Sequence, residues 1–190
     1  MIFGSFALVI NILMEIMRLC GISLAFIDNP FIQNGIVTYG DIMQFMILYC
    51  LVALLCVRDF RGALQLILAS SIALCIMLIS KKIFVYIARF YKDSIAIISQ
   101  RPDSIDFDGF PSGHTTAAFV VVGFMCAKYG FRNLFSILCV ALAICVGLSR
   151  VYAMRHTWLQ VICGAILGFL TGYFVVKRFN KIESKTLKRF

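Results

Sequence analysis

The sequence predicts an all-α membrane protein with about six transmembrane helices in one bundle. Composition and the placement of charge carry that prediction. Of 190 residues, 62% are hydrophobic and 14% charged, with mean hydropathy +0.95. Soluble domains run near half apolar and about a quarter charged. An ordinary cytosolic globular domain and a disordered chain are therefore excluded. At roughly 20 apolar residues per span, this length holds about six spans with short connections. Residues 1–190 are expected to form a single membrane-embedded domain, with 177–190 as a basic cytoplasmic tail. Any active site must then be built from helix ends and short loops.

The first apolar run extends from about Ile2 to Ile27 and contains Glu15 and Arg18. These two neighbour each other on one helical face and are expected to pair or face protein, because lone charges in lipid are costly. The run lacks the basic start and cleavage box of a signal peptide. The second span covers roughly Asp41 to Val57 and the third Gly62 to Ser80. The fourth runs from Ser112 to Tyr129, the fifth from Leu134 to Tyr152 and the sixth from Thr157 to Val176. The eight cysteines lie in or beside these runs without a C-x-x-C pair, and read as small buried hydrophobes.

The net charge is +9 and the pI about 9.3. In a soluble protein such a balance suggests nucleic acid. Here it reads as topology, and no nucleic-acid partner is expected. Arg58 and Arg61, Lys128 and Arg132, and the tail residues Lys177, Arg178, Lys181, Lys185, Lys188 and Arg189 fall on one side of a six-span layout. The first loop, on the other side, holds Asp28 and no Lys or Arg. Basic loops stay cytoplasmic, so both termini are expected there.

The segment from Lys81 to Phe110 then faces outward, although it begins with Lys81, Lys82, Arg89 and Lys92. Ile83, Ile87, Phe90 and Tyr91 would form the apolar stripe of an interfacial helix. Alternatively the third span simply extends. Basic charge here breaks the sidedness pattern, and a phosphate ligand would account for it.

Three strings share this outer side: Arg101-Pro102, Pro111-Ser112-Gly113-His114, and Ser149-Arg150 followed by His156. Guanidinium groups match phosphate oxygens bidentately. Ser112 and Gly113 sit where a loop enters a helix, whose free N–H groups and positive end favour an anion. Two imidazoles beside such a site suggest covalent phosphoryl transfer. One attacks phosphorus and the other protonates the leaving oxygen.

The order K-x6-R-P, P-S-G-H, S-R-x5-H-x3-D resembles the type 2 phosphatidic acid phosphatase (PAP2), or lipid phosphate phosphatase, superfamily. The matching strings span residues 92 to 160 at most. The resemblance implies a PAP2-like helical bundle and a metal-independent phosphatase acting on lipid phosphates, without a cofactor. It assigns His156 as nucleophile and His114 as general acid. It makes Arg101, Arg150, Ser112, Gly113 and Ser149 phosphate ligands. Two positions depart from the pattern. The family lysine falls on Ser94, so Lys92 is assigned a phosphate role in its place, with Lys82 or Arg89 as alternatives. Gln160 stands where the family has Asp. One helical turn after His156, its amide can accept the imidazole Nδ1 proton but brings no charge.

Asp103, Asp106 and Asp108 crowd the loop before Pro111. They could balance Arg101 and Arg155, contact a substrate amine, hold a divalent cation, or simply be solvated. The expected setting is the cytoplasmic (inner) membrane of a bacterium, with the site facing outward and membrane lipids as surroundings. The candidate substrates are lipid A, undecaprenyl pyrophosphate, phosphatidylglycerophosphate and phosphatidate. A phosphotransferase to a sugar acceptor and a non-catalytic lipid-phosphate-binding or transport protein are the competing readings.

Overall fold

In the computed structural model, residues 30–187 are described, with side chains through residue 182. The expected first span, with Glu15 and Arg18, and the tail residues Lys188 and Arg189 lie outside them. The chain divides into two compact units, Met1–Ile36 and Val37–Phe190, and the site lies wholly in the second. The described residues form seven helices and no strand: α1 (Pro30–Met43), α2 (Met46–Cys56), α3 (Phe60–Ile87), α4 (Lys92–Ser99), α5 (Gly113–Tyr129), α6 (Leu134–Tyr152) and α7 (Trp158–Leu187).

The all-helical expectation holds. Six spans are not confirmed. Among the described residues, three helices are long and apolar enough to cross a membrane: α3, α6 and residues Trp158–Ile182 of α7. A fourth is reached if α1 and α2, bent by 50° at their junction, count as one. The expected second span, Asp41 to Val57, is therefore not a straight helix. It breaks at Gln44 and Phe45, where the Gln44 side-chain amide donates to the Asp41 carbonyl at 2.8 Å. The expected fourth span is α5, whose 17 residues rise about 25 Å, at the short end of the range for a membrane span. Ten of those residues are buried, because α5 is the central helix and α2, α3, α6 and α7 pack around it. The surrounding helices turn large apolar side chains outward, among them Ile67, Ile79, Ile137, Ile144 and Ile166.

The segment after the third span resolves as two pieces. Lys81 to Ile87 are the last turns of α3, since the apolar run Ile83–Ile87 lets the helix continue past the lysines. A separate short helix, α4, follows the turn that holds Phe90 and Tyr91.

Polar contacts fix which helix ends meet. Asp59 caps α3 by accepting from Gly62 N at 2.9 Å, and pairs with Lys128 at the end of α5 at 2.7 Å. Gln65 near the start of α3 donates to Asn180 near the end of α7 at 2.8 Å. The ends of α5 and α7 thus lie together beside the start of α3. The starts of α5 and α7 meet at the opposite end of the bundle, beside the end of α3.

The α5–α7 contact is set by glycine at four-residue spacing on α7. A Cβ at Gly164 would lie 2.7 Å from the Ser112 carbonyl oxygen, and Cβ atoms at Gly168 and Gly172 would collide with the carbonyls of Thr116 and Val120. Gly123 of α5 returns the contact against Phe169. Small residues let two helix backbones approach this closely, and the approach brings Ser112 against the first turn of α7. Gly168→Ala should destabilise the bundle by about 1–3 kcal/mol, read as a lowered thermal unfolding midpoint in detergent.

Candidate active site

The site is built at the end of the bundle where α3 and α6 finish and α5 and α7 begin. Helix α6 ends in a Schellman turn. Met154 N donates to Val151 O and Arg155 N donates to Arg150 O, both at 3.0 Å. Met154 has φ 54°, a left-handed conformation that usually falls to glycine. The reversal leaves Arg150 on the helix and carries His156 back toward α7.

Helix α7 then opens with the string Thr157-x-x-Gln160. Thr157 Oγ1 accepts from Gln160 N at 3.4 Å, and Gln160 Oε1 accepts from Thr157 N at 3.2 Å. This is a reciprocal capping box. The Gln160 side chain does more. Its Nε2 donates to Ile98 O at 3.1 Å and to Gln100 O at 2.9 Å. Its Oε1 lies 2.9 Å from His156 Nδ1. Flipping the amide would set oxygen against two carbonyls, so the orientation is fixed, and His156 Nδ1 must carry the proton. The imidazole lone pair is left on Nε2.

The backbone carbonyl of Gln160 also accepts from Ser112 N at 3.0 Å. Ser112 is buried, and its Oγ pairs with Thr115 Oγ1 at 3.1 Å rather than capping α5. The N–H groups of Gly113, His114 and Thr115 precede the first intrahelical bond, Thr116 N to Ser112 O at 3.0 Å. N–H groups placed in this way can serve as donors to an anion at a helix start.

Arg101 meets Asp108 through Nε at 2.8 Å and Nη2 at 3.0 Å. Asp103 pairs with Arg155 at 3.3 Å. Of the readings open for the loop carboxylates, charge balance for Arg101 and Arg155 is the one realised at Asp108 and Asp103. Lys81, from the end of α3, donates to the Asp108 carbonyl at 2.5 Å. A T-shaped contact between Phe84 and Phe110, centroids 5.0 Å apart, holds the same loop to α3. Arg150 is buried; its Nε donates to Ser149 Oγ at 3.3 Å, and Ser149 Oγ in turn donates to Val146 O at 2.7 Å. His114 is 3.6 Å from Asp41.

The three strings singled out in the sequence therefore meet at one end of the bundle. Arg101, Ser112, Gly113, His114, Ser149, Arg150, His156 and Gln160 converge there. Lys92 is exposed at the first turn of α4, and the lysine that reaches the loop is Lys81. Sequence reasoning missed Lys81 and Asp41. The capping-box string at 157–160 was a signal for the role of Gln160. Asp41 had none, since it acts across a distance of 109 residues.

Burial pushes His156 down to about 4, and the charges of Lys81 and Arg101 act the same way against the Gln160 hydrogen bond and the Gly109 carbonyl. At neutral pH the imidazole is uncharged. An apolar cleft of about 210 Å³ lined by Ile47, Leu74, Met77 and Ala117 adjoins the site, with Gly113 in its wall.

Residues 62–184 match the family model of the PAP2 superfamily. A lipid A 4′-phosphatase of Helicobacter pylori is 30% identical over 142 residues, 74% of this chain and 69% of that protein. A lipid A 1-phosphatase of Porphyromonas gingivalis is 37% identical over 73 residues, 38% of this chain and 16% of that protein. The fold is similar to the crystal structure of Aquifex aeolicus LpxE, with TM-score 0.62, 22% identity, and coverage of 86% of this chain and 94% of that one.

Two tests follow from the wiring of His156. Gln160→Asp leaves the two carbonyls of the 98–100 segment without their donor and shortens the cap. It should cost about 2 kcal/mol of stability and lower turnover at least tenfold (on the order of 10-fold or more). Retained activity would mean that the two side chains are interchangeable here. Because the sequence has only two histidines, ring-nitrogen NMR in micelles can follow each. Lowering of the His156 pKa keeps the neutral form in place until the pH falls toward about 4. A midpoint at the ordinary 6.5 would contradict the buried, uncharged imidazole.

Proposed function

The chain belongs to the PAP2 superfamily, and on that footing we propose that it is a membrane phosphatase that removes a phosphate from lipid A through a phosphohistidine on His156. The observation that carries this reading is the Gln160 amide, which holds the Nδ1 proton of His156 and leaves the Nε2 lone pair for phosphorus. The substrate class is supported by the two lipid A phosphatases to which the chain is similar. The apolar cleft beside Gly113 supports a lipid as well, since a hydrocarbon chain there brings its headgroup to the start of α5.

His156 Nε2 attacks phosphorus, and the bond to the lipid oxygen breaks as the P–N bond forms. Burial and the Arg150 charge lower the His114 pKa to about 4, and Asp41 opposes them. The negative charge of the bound phosphate adds to Asp41 in favouring the His114 imidazolium, which gives its proton to the leaving oxygen. Water then attacks the phosphohistidine, His114 takes a proton from that water, and inorganic phosphate departs with His156 restored. Arg101, Arg150, Ser112 and the N–H groups of the α5 start stabilise the phosphoryl oxygens, while Ser149, whose proton goes to Val146 O, acts by holding Arg150 Nε. In this reading Lys81 takes the lysine role assigned to Lys92 in the sequence. These groups supply the positive charge that a metal ion supplies elsewhere, and the enzyme works without one. The site end of the bundle faces outward from the cytoplasmic membrane, with basic ends such as Arg61, Lys128 and Lys177 inside.

Purified protein in detergent should release free phosphate from lipid A with no added acceptor and with EDTA present, with mass spectrometry reading which phosphate is lost. His156→Ala should reduce the rate by at least about 10³-fold. Phosphate leaving lipid A only when a sugar acceptor is supplied would make the protein a phosphotransferase instead. Wild-type activity in His156→Ala would refute the mechanism.

A further inference from the structure

The end of α1, Val37–Asp41, lies upstream of the family match at residues 62–184 and carries none of the three strings. It nevertheless touches two of them. Arg150 is 2% exposed, and a guanidinium so buried needs partners. Of its five N–H groups, one on Nε goes to Ser149 Oγ at 3.3 Å, one on Nη1 to Asp41 Oδ1 at 2.7 Å, and one on Nη2 to Val37 O at 2.9 Å. Among the described residues, one N–H on each terminal nitrogen has no partner, a pair that suits bidentate contact with phosphate.

The backbone of α1 comes this close because residue 40 has no side chain. A Cβ at Gly40 would run into Arg150 Nη2 and Ser149 Oγ. The Tyr39 hydroxyl, donating to Leu142 O at 2.9 Å, ties the same turn to α6. The Asp41 carboxylate stands between two functional groups: Oδ1 accepts from Arg150 Nη1 and lies 3.6 Å from His114 Nε2, within reach of charge attraction though beyond a hydrogen bond. Its side chain is 53% exposed, so packing does not require it.

We propose that Gly40 and Asp41 are positioning residues of the phosphate site. Gly40 admits the Arg150 guanidinium, and Asp41 aims it while orienting His114 toward the leaving oxygen. The proposal rests on the reading of the site as a phosphatase, so its test has one arm that needs turnover and one that does not.

A carboxylate beside Arg150 repels the incoming phosphate as well as holding the arginine. Asp41→Asn keeps the acceptor oxygen and removes the charge. It should lower kcat about tenfold or more while inorganic phosphate binds about two- to threefold more tightly, as product inhibition or by calorimetry. A residue that only supports the fold would weaken both together. Gly40→Ala displaces the guanidinium and should weaken binding of inorganic phosphate about tenfold, much as Arg150→Ala does. The proposal is overturned if Asp41→Asn keeps kcat within about twofold of wild type, if its phosphate binding weakens along with kcat, or if Gly40→Ala binds phosphate as wild type does. Wild-type protein that binds phosphate but turns over no lipid phosphate overturns the phosphatase reading alone, and the phosphate arm then still decides the positioning of Arg150.

Discussion

The side chain of Gln160 is the contact on which the site depends. Its oxygen accepts from Thr157 N and from His156 Nδ1, and its nitrogen donates to the carbonyls of Ile98 and Gln100. Its own carbonyl receives Ser112 N. One residue thus joins the first turn of α7, the imidazole, the end of α4 and the start of α5. It is fully buried, where an unmet donor or acceptor costs about 1–3 kcal/mol. A carboxylate could orient the imidazole, but it could not also donate to two carbonyls. The amide at this position is therefore part of a different wiring, in which burial rather than a neighbouring charge governs the imidazole.

That wiring needs α5 and α7 in close register. The glycines of α7 supply it by letting backbone meet backbone. Parallel packing also sets two helix starts side by side, so the positive ends of both dipoles point into one region. Arg101, Arg150 and Lys81 add to the same field. Asp108 and Asp41 hold the two arginines, which keeps guanidinium groups ordered at a place where uncompensated positive charge would be costly.

Much of this was legible in the sequence. Hydropathy located α3, α6 and α7, and the strings around Arg101, His114 and His156, which the six-span layout put on one outer side, lie at one end of the bundle. Boundaries and breaks were less legible. The bend between α1 and α2 depends on a local turn inside an apolar run, and periodicity does not register it. The sequence located α5 as an apolar run, but not that its neighbours would bury it at the centre of the bundle. Lys81 was counted among the basic residues of the outer segment, but only the folded loop shows that it reaches Asp108. Asp41 could not be found at all, because its partners lie on α5 and α6 and no spacing rule connects them.

The central claim is that Gln160 fixes the tautomer of His156 and so selects the nitrogen that meets phosphorus. The most direct measurement is an alkaline quench of the wild-type protein while it turns over radiolabelled lipid A. Digestion and separation of the phosphohistidine isomers follow. The label is predicted on His156 at Nε2. Label at Nδ1, label on His114, or no covalently held label during turnover would contradict it.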